Sequence, residues 1–112
     1  MSFGLDIITK DVDGNEVWVE VVDGQTYNLS PMWREALPSI TDEGTRGLEG
    51  RKCADLLPEL EAGLNDATVN QRKYQDMNPP NGWGDFEGFY QTLAKLVLLC
   101  RKHPSGVVRW NG

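Results

Sequence analysis

Asn81-Gly82-Trp83-Gly84-Asp85-Phe86, with the run that ends at Arg101-Lys102-His103-Pro104, is the stretch that decides the fold of this chain. From Phe86 the apolar residues fall at Phe86, Phe89, Tyr90, Leu93, Leu96, Val97, Leu99 and Cys100, steps that keep them on one side of a 3.6-residue period. The pattern predicts a long amphipathic helix facing a core. Asp85 is placed to cap it, because its carboxylate accepts from the unpaired amides of the first turn, and Glu87 adds charge of the favourable sign. Arg101, Lys102 and His103 fall in the last turn, where cations suit the negative end, and Pro104 forbids continuation. Gly82 and Gly84 frame Trp83, so the chain turns sharply there while the indole is pressed onto the core or onto a ligand.

Upstream, Leu5 to Lys10 and Glu16 to Val22 are β-rich runs separated by Asp13-Gly14-Asn15, a hairpin signature. With those residues as the loop, Leu5 and Ile7 share a face with Val17, Val19 and Val21, and Asp6, Lys10, Glu16, Trp18 and Glu20 share the other. Ile8 and Trp18 are then apolar residues on a polar face, which marks them as interface candidates. Asp23-Gly24 is expected to close the second strand. Ser30-Pro31 reads as the cap and first position of a short helix through Leu37. Arg51 to Leu64 is helical in pattern and either kinked or divided by Pro58, with Asn65-Asp66 as its break and a further short helix between Val69 and Met77. Val107 to Trp110 reads as a strand able to extend the hairpin. Residues 1–112 are thus expected to form one α+β domain, a small antiparallel sheet of hairpin plus C-terminal strand packed against several helices, including the long C-terminal amphipathic one.

A net charge of -6 argues against binding duplex nucleic acid, since that term needs many cations meeting phosphates. The charge is uneven. Up to Asp23 the chain holds Asp6, Asp11, Asp13, Glu16, Glu20 and Asp23 against Lys10 alone, and most of the cations lie beyond it. No apolar run is long enough for a membrane span, and Met1 to Leu5 passes straight into a strand pattern, so a cytoplasmic protein is expected. Cys53 and Cys100 lie far apart on apolar helical faces and read as buried free thiols. With a single histidine there is no metal-ligand or haem spacing, and neither cofactor nor metal is expected.

Gly44-Thr45-Arg46-Gly47-Leu48-Glu49-Gly50-Arg51-Lys52 is the best anion-binding candidate, with spaced glycines that let amides converge and Arg46, Arg51 and Lys52 as charge. Trp33 beside Arg34, and Trp83, offer indole faces for a planar ligand, with Asn28 and Ser30 as neutral hydrogen-bonding groups nearby. Together Asn28, Ser30, Trp33, Arg34, Arg46, Gly47, Arg51, Lys52 and Trp83 form the expected ligand set. No catalytic residue is assigned: no carboxylate pair has a spacing that specifies hydrolysis, and His103 sits where a helix cap is expected.

Asn28-Leu29-Ser30-Pro31-Met32-Trp33, the glycine-rich Gly44 to Lys52 and the Asn81-Gly82-Trp83-Gly84 helix start together resemble a group of small uncharacterised proteins of bacteria and their phages, over roughly residues 28–110. The resemblance transfers no catalytic residue and implies a setting: small acidic phage-type proteins act by binding, either sequestering a signalling molecule as an anti-defence sponge or blocking a host protein. The first expectation is therefore a non-enzymatic binder of a small anionic, nucleotide-like ligand. The alternatives are an interaction module that uses the acidic hairpin with Ile8 and Trp18, against a host protein or as a homo-oligomer, and a structural component without ligand.

Overall fold

The computed structural model describes residues 1–82 and 84–112. Strands β1 (Ser2–Lys10), β2 (Glu16–Thr26) and β3 (Val107–Asn111) form one antiparallel sheet in the order β2-β1-β3. Among the described residues four α-helices accompany it: α1 (Ser30–Ala36), α2 (Cys53–Val69), α3 (Gln71–Gln75) and α4 (Phe86–Lys102). The α+β class, the added C-terminal strand and the long amphipathic α4 are as the pattern predicts. No helix among the described residues is long and apolar enough to cross a membrane.

The hairpin turn sits one residue earlier than expected. Asp11 N–H donates to the Asn15 carbonyl at 2.9 Å and Gly14 N–H to the Asp11 carbonyl at 3.0 Å, so Val12, Asp13 and Gly14 make the turn. Its last position needs positive φ, and Gly14 supplies it at +83° without the cost of a Cβ. The strand pairing slips by two residues in register sum, which preserves the faces: Ile7 pairs with Val19 and Ile8 with Trp18.

Nor does β2 end at Asp23-Gly24. Phe3 pairs with Gln25 and Leu5 with Val22, so Asp23 and Gly24 together oppose Gly4 as a bulge, and a second register shift follows between Leu5 and Asp6. The strand bends and continues to Thr26, with Gln25 turned inward and only 8% exposed.

Pro58 interrupts nothing in α2, which runs past Asn65-Asp66 to Val69. Proline leaves the Ala54 carbonyl without its amide, and both residues are exposed, where water can take the place of the missing bond. The first amides of α2 are closed by the turn before β3, with Cys53 N–H donating to the Gly106 carbonyl at 2.8 Å and Ala54 N–H to that of Pro104 at 3.0 Å. Asp85 caps α4 by accepting from Gly88 N–H at 2.9 Å.

The core lies between the inner face of the sheet, with Phe3, Leu5, Ile7, Val21 and Val108, and the apolar faces of α1, α2 and α4. Trp33 is at its centre, edge-on to Phe89 at 5.1 Å and to Phe3 at 6.4 Å. Its indole N–H donates to Gln25 Oε1 at 2.8 Å, and Gln25 Nε2 donates to Thr92 Oγ1 at 2.8 Å, so the buried polar groups satisfy one another. Cys53 and Cys100 are buried free thiols, as expected. Their mutual hydrogen bond and burial hold the Cys100 thiol well above its ordinary range, so it stays protonated.

Candidate functional site

Three segments distant in sequence meet at one end of the molecule: the Tyr27–Leu29 turn leading into α1, the tight helical turn Gly44–Leu48, and β3. Between them opens a pocket of about 640 Å³. Arg34 and Arg46 supply its positive charge, Asp42 and Glu43 its negative charge, and Tyr27, Ser30, Thr45 and Trp110 its neutral walls.

Both arginines are exposed, and neither is paired with a carboxylate among the described residues. A Cβ at position 44 would come within 3.3 Å of Arg34 Nη2, so Gly44, at φ +68°, leaves the room in which the guanidinium lies. The Arg46 guanidinium sits over the Trp110 ring, 4.9 Å from its centroid. Trp110 is itself fixed: its Nε1 donates to Thr45 Oγ1 at 3.0 Å, and its backbone N–H donates to Glu49 Oε2 at 2.6 Å. The Tyr27 ring stands beside it at 6.4 Å.

Arg51, Lys73, Arg101 and Arg109 are each paired with a carboxylate, of Glu59, of Glu35 and Asp66, of Glu61 and of Glu49 respectively. Among the described residues Arg34, Arg46, Asp42 and Glu43 form no ion pair. An anion entering the pocket therefore meets two guanidinium groups without first breaking a salt bridge.

Of the expected ligand set, Ser30, Arg34 and Arg46 line this pocket. Ser30 is not the N-cap of α1: it already has helical backbone, and its N–H closes the preceding turn by donating to the Tyr27 carbonyl. Gly47 lies behind the wall, where an added Cβ would be 3.0 Å from Ile40 Cγ2. Asn28 stays in its turn, its N–H donating to Thr26 Oγ1 at 3.2 Å, and lies off the pocket wall. Arg51 points away to Ser39 Oγ at 2.7 Å, and Lys52 is bridged to Val107 at the sheet. Trp33 is fully enclosed and presents no face to a ligand, because it is buried in the core with Phe3 and Phe89 edge-on to it. Trp83 lies outside the described residues.

The amides in the second half of the glycine-rich stretch are already engaged. Glu49 and Arg51 N–H donate within the loop to the Arg46 and Leu48 carbonyls, Gly50 N–H donates to that of Val108 in β3, and Cys53 N–H, at the start of α2, donates to that of Gly106. What the stretch contributes is side chains, Thr45 and Arg46. Sequence reasoning missed Tyr27, Asp42, Glu43 and Trp110. The available signal was the alternation Val108, Trp110, which puts the indole on the inner face of the sheet.

The other marked residues lie elsewhere. Ile8 and Trp18 are opposite each other on the outer face of the sheet, and His103 borders a separate groove there with Lys10 and Glu16. Comparison with protein-family models, with curated proteins and with solved structures found no match to this chain.

Proposed function

We propose that this protein is a non-enzymatic binder that sequesters a small nucleotide-like ligand in the pocket between Arg34, Arg46 and Trp110. The observation that carries this is the pair of arginines, twelve positions apart (46 minus 34), converging on one pocket with no carboxylate partner among the described residues. The guanidinium groups suit a phosphate or carboxylate, to which each donates charge-assisted hydrogen bonds. Asp42 and Glu43 on the same wall oppose a bare polyanion and favour a ligand that also carries hydrogen-bond donors, as the edge of a nucleobase does. Trp110 acts here as a platform that fixes Arg46, and Tyr27 offers a ring and a hydroxyl to the planar part.

Isothermal titration with nucleoside monophosphates and cyclic nucleotides, with inorganic phosphate as the head group alone, tests the proposal. The expected result is saturable binding of at least one nucleotide, weakened by tenfold or more in Arg34→Ala and in Arg46→Ala, since a hydrogen bond to a charged group contributes about 1.5–3 kcal/mol. Recovery of the intact nucleotide after denaturation of the complex, read by mass spectrometry, is the expected sign of sequestration without turnover. Absence of saturable binding across that set, or affinity unchanged in both variants, would exclude the pocket as the site.

A further inference from the structure

The outer face of the sheet carries a surface that the pocket does not use. Trp18 lies opposite Ile8, and Ile8 opposite Val107, making an apolar row across all three strands. Trp18 is 53% exposed there, with Ile8 and Val107 half-buried. In the next row Glu20 lies directly opposite Asp6, two carboxylates whose repulsion the sheet carries in the free protein. Arg109, across from Asp6 on β3, is already engaged by Glu49. On the other side of the apolar row Glu16 faces Lys10, and its carboxylate accepts from Trp18 Nε1 at 3.2 Å.

The two margins of the sheet differ. The margin of β3 is closed by the chain at 50–53: Gly50 N–H donates to the Val108 carbonyl at 2.8 Å, Val108 N–H to that of Arg51 at 2.9 Å, and Lys52 bridges Val107. Among the described residues, strand β2 is paired with β1 on one side and with no strand on the other. An unpaired edge of this kind is a template for another strand.

We infer that β2 receives an extended basic segment of another protein as a fourth strand, with cationic side chains beside Glu16 and Glu20 and an apolar one on Trp18. Side chains alternate along a strand, so Glu16, Trp18 and Glu20 share one face and ask for cation, apolar, cation at every second position of the incoming segment. A cation beside Glu20 also offsets its repulsion with Asp6. The surroundings favour the same sign, since the chain up to Asp23 sets six carboxylates, Asp6, Asp11, Asp13, Glu16, Glu20 and Asp23, against Lys10 alone. A second copy of β2 fits worse. Paired antiparallel about Trp18 it brings Glu16 against Glu20 twice over, and paired parallel in register it sets each glutamate against itself.

The test is fluorescence anisotropy of the full chain with a labelled peptide Thr-Lys-Thr-Leu-Thr-Lys-Thr, against Thr-Glu-Thr-Leu-Thr-Glu-Thr as its charge-reversed control. The lysine peptide is expected to bind saturably and the glutamate peptide not to. Affinity should fall as salt rises from about 0.05 M to about 0.15 M, and by about tenfold in Trp18→Ala, as for loss of an aromatic anchor. The double variant Glu16→Lys with Glu20→Lys should reverse the preference, an outcome that a merely unfolded variant cannot give. Arg46→Ala should bind the lysine peptide as the parent does, which separates this surface from the pocket. No saturable binding of the lysine peptide, or equal binding to the double variant, overturns the inference. So does a dimer in sedimentation that Trp18→Lys abolishes, since a second copy would then hold the edge.

Discussion

Trp33 and Trp110 are both indoles whose N–H is satisfied by a neutral side chain, Gln25 in one case and Thr45 in the other. Around Trp33 every neighbour is committed: Phe3 and Phe89 pack on the ring, and the Gln25 amide that accepts from it donates onward to Thr92. Around Trp110 the neighbours are not. Arg46 lies on the ring with no carboxylate, and Arg34, Asp42 and Glu43 face the same space. An aromatic residue therefore marks a candidate site in this molecule only where the charges beside it are still unspent. Residue type and local sequence, in which Trp33-Arg34 looks the better candidate, do not carry that information.

The largest expected effect breaks the sealed core around Trp33. Trp33→Ala should cost about 3–5 kcal/mol in urea denaturation, the range for truncating a large buried aromatic, and should leave ligand affinity of the surviving folded fraction near that of the parent. Trp110→Ala should do the reverse, costing less than half as much stability while weakening nucleotide binding about tenfold through a released Arg46. If the two variants destabilise equally, the contrast between a sealed core and an open pocket is wrong. Gln25→Ala comes next, at about 1–3 kcal/mol, because it leaves the Trp33 N–H and the Thr92 hydroxyl buried without their partner.

What could be read from sequence divides along the same line. The period of α4, its Asp85 cap and the alternation in the hairpin are properties of neighbouring residues, so the α+β class and the buried faces were legible. The Gly14 turn slipped by one because the position needing positive φ depends on the turn type, and the bulge at Asp23-Gly24 looked like an ending because glycine marks both. Arg34 and Arg46 were legible as cations but not as a pair. What joins them is long-range: Gly44 beside Arg34, and Trp110, brought by β3, under Arg46. The same distance hid the fate of Arg51, Lys73, Arg101 and Arg109, whose carboxylate partners come mostly from other elements.

The smallest expected effect sharpens the comparison through pH. Asp66, unlike the carboxylates of the pocket, is fully engaged. Its Oδ2 accepts from Tyr74 Oη at 2.5 Å and from Lys73 Nζ at 3.0 Å, and its Oδ1 accepts from Asn70 Nδ2 at 2.7 Å. Tyr74 in turn stacks on Phe89 at 5.7 Å, with Trp33 edge-on to that ring. The hydrogen bond from Tyr74, with those from Asn70 and Lys73, holds the Asp66 carboxyl down at about 2. The folded state thus takes up this proton less readily than the unfolded state, whose aspartate titrates at about 3.9. The stabilisation is present in full above that value and is lost as pH falls from about 4 towards about 2. Denaturant midpoints taken across this interval should decline with acid in the parent, and less steeply in Asp66→Asn, which should also start lower at neutral pH. The difference should be modest, because the side chain keeps 31% of its exposure and water screens the contact. An unchanged slope in the variant would assign the acid sensitivity to other carboxylates and leave Tyr74 anchored by its ring alone.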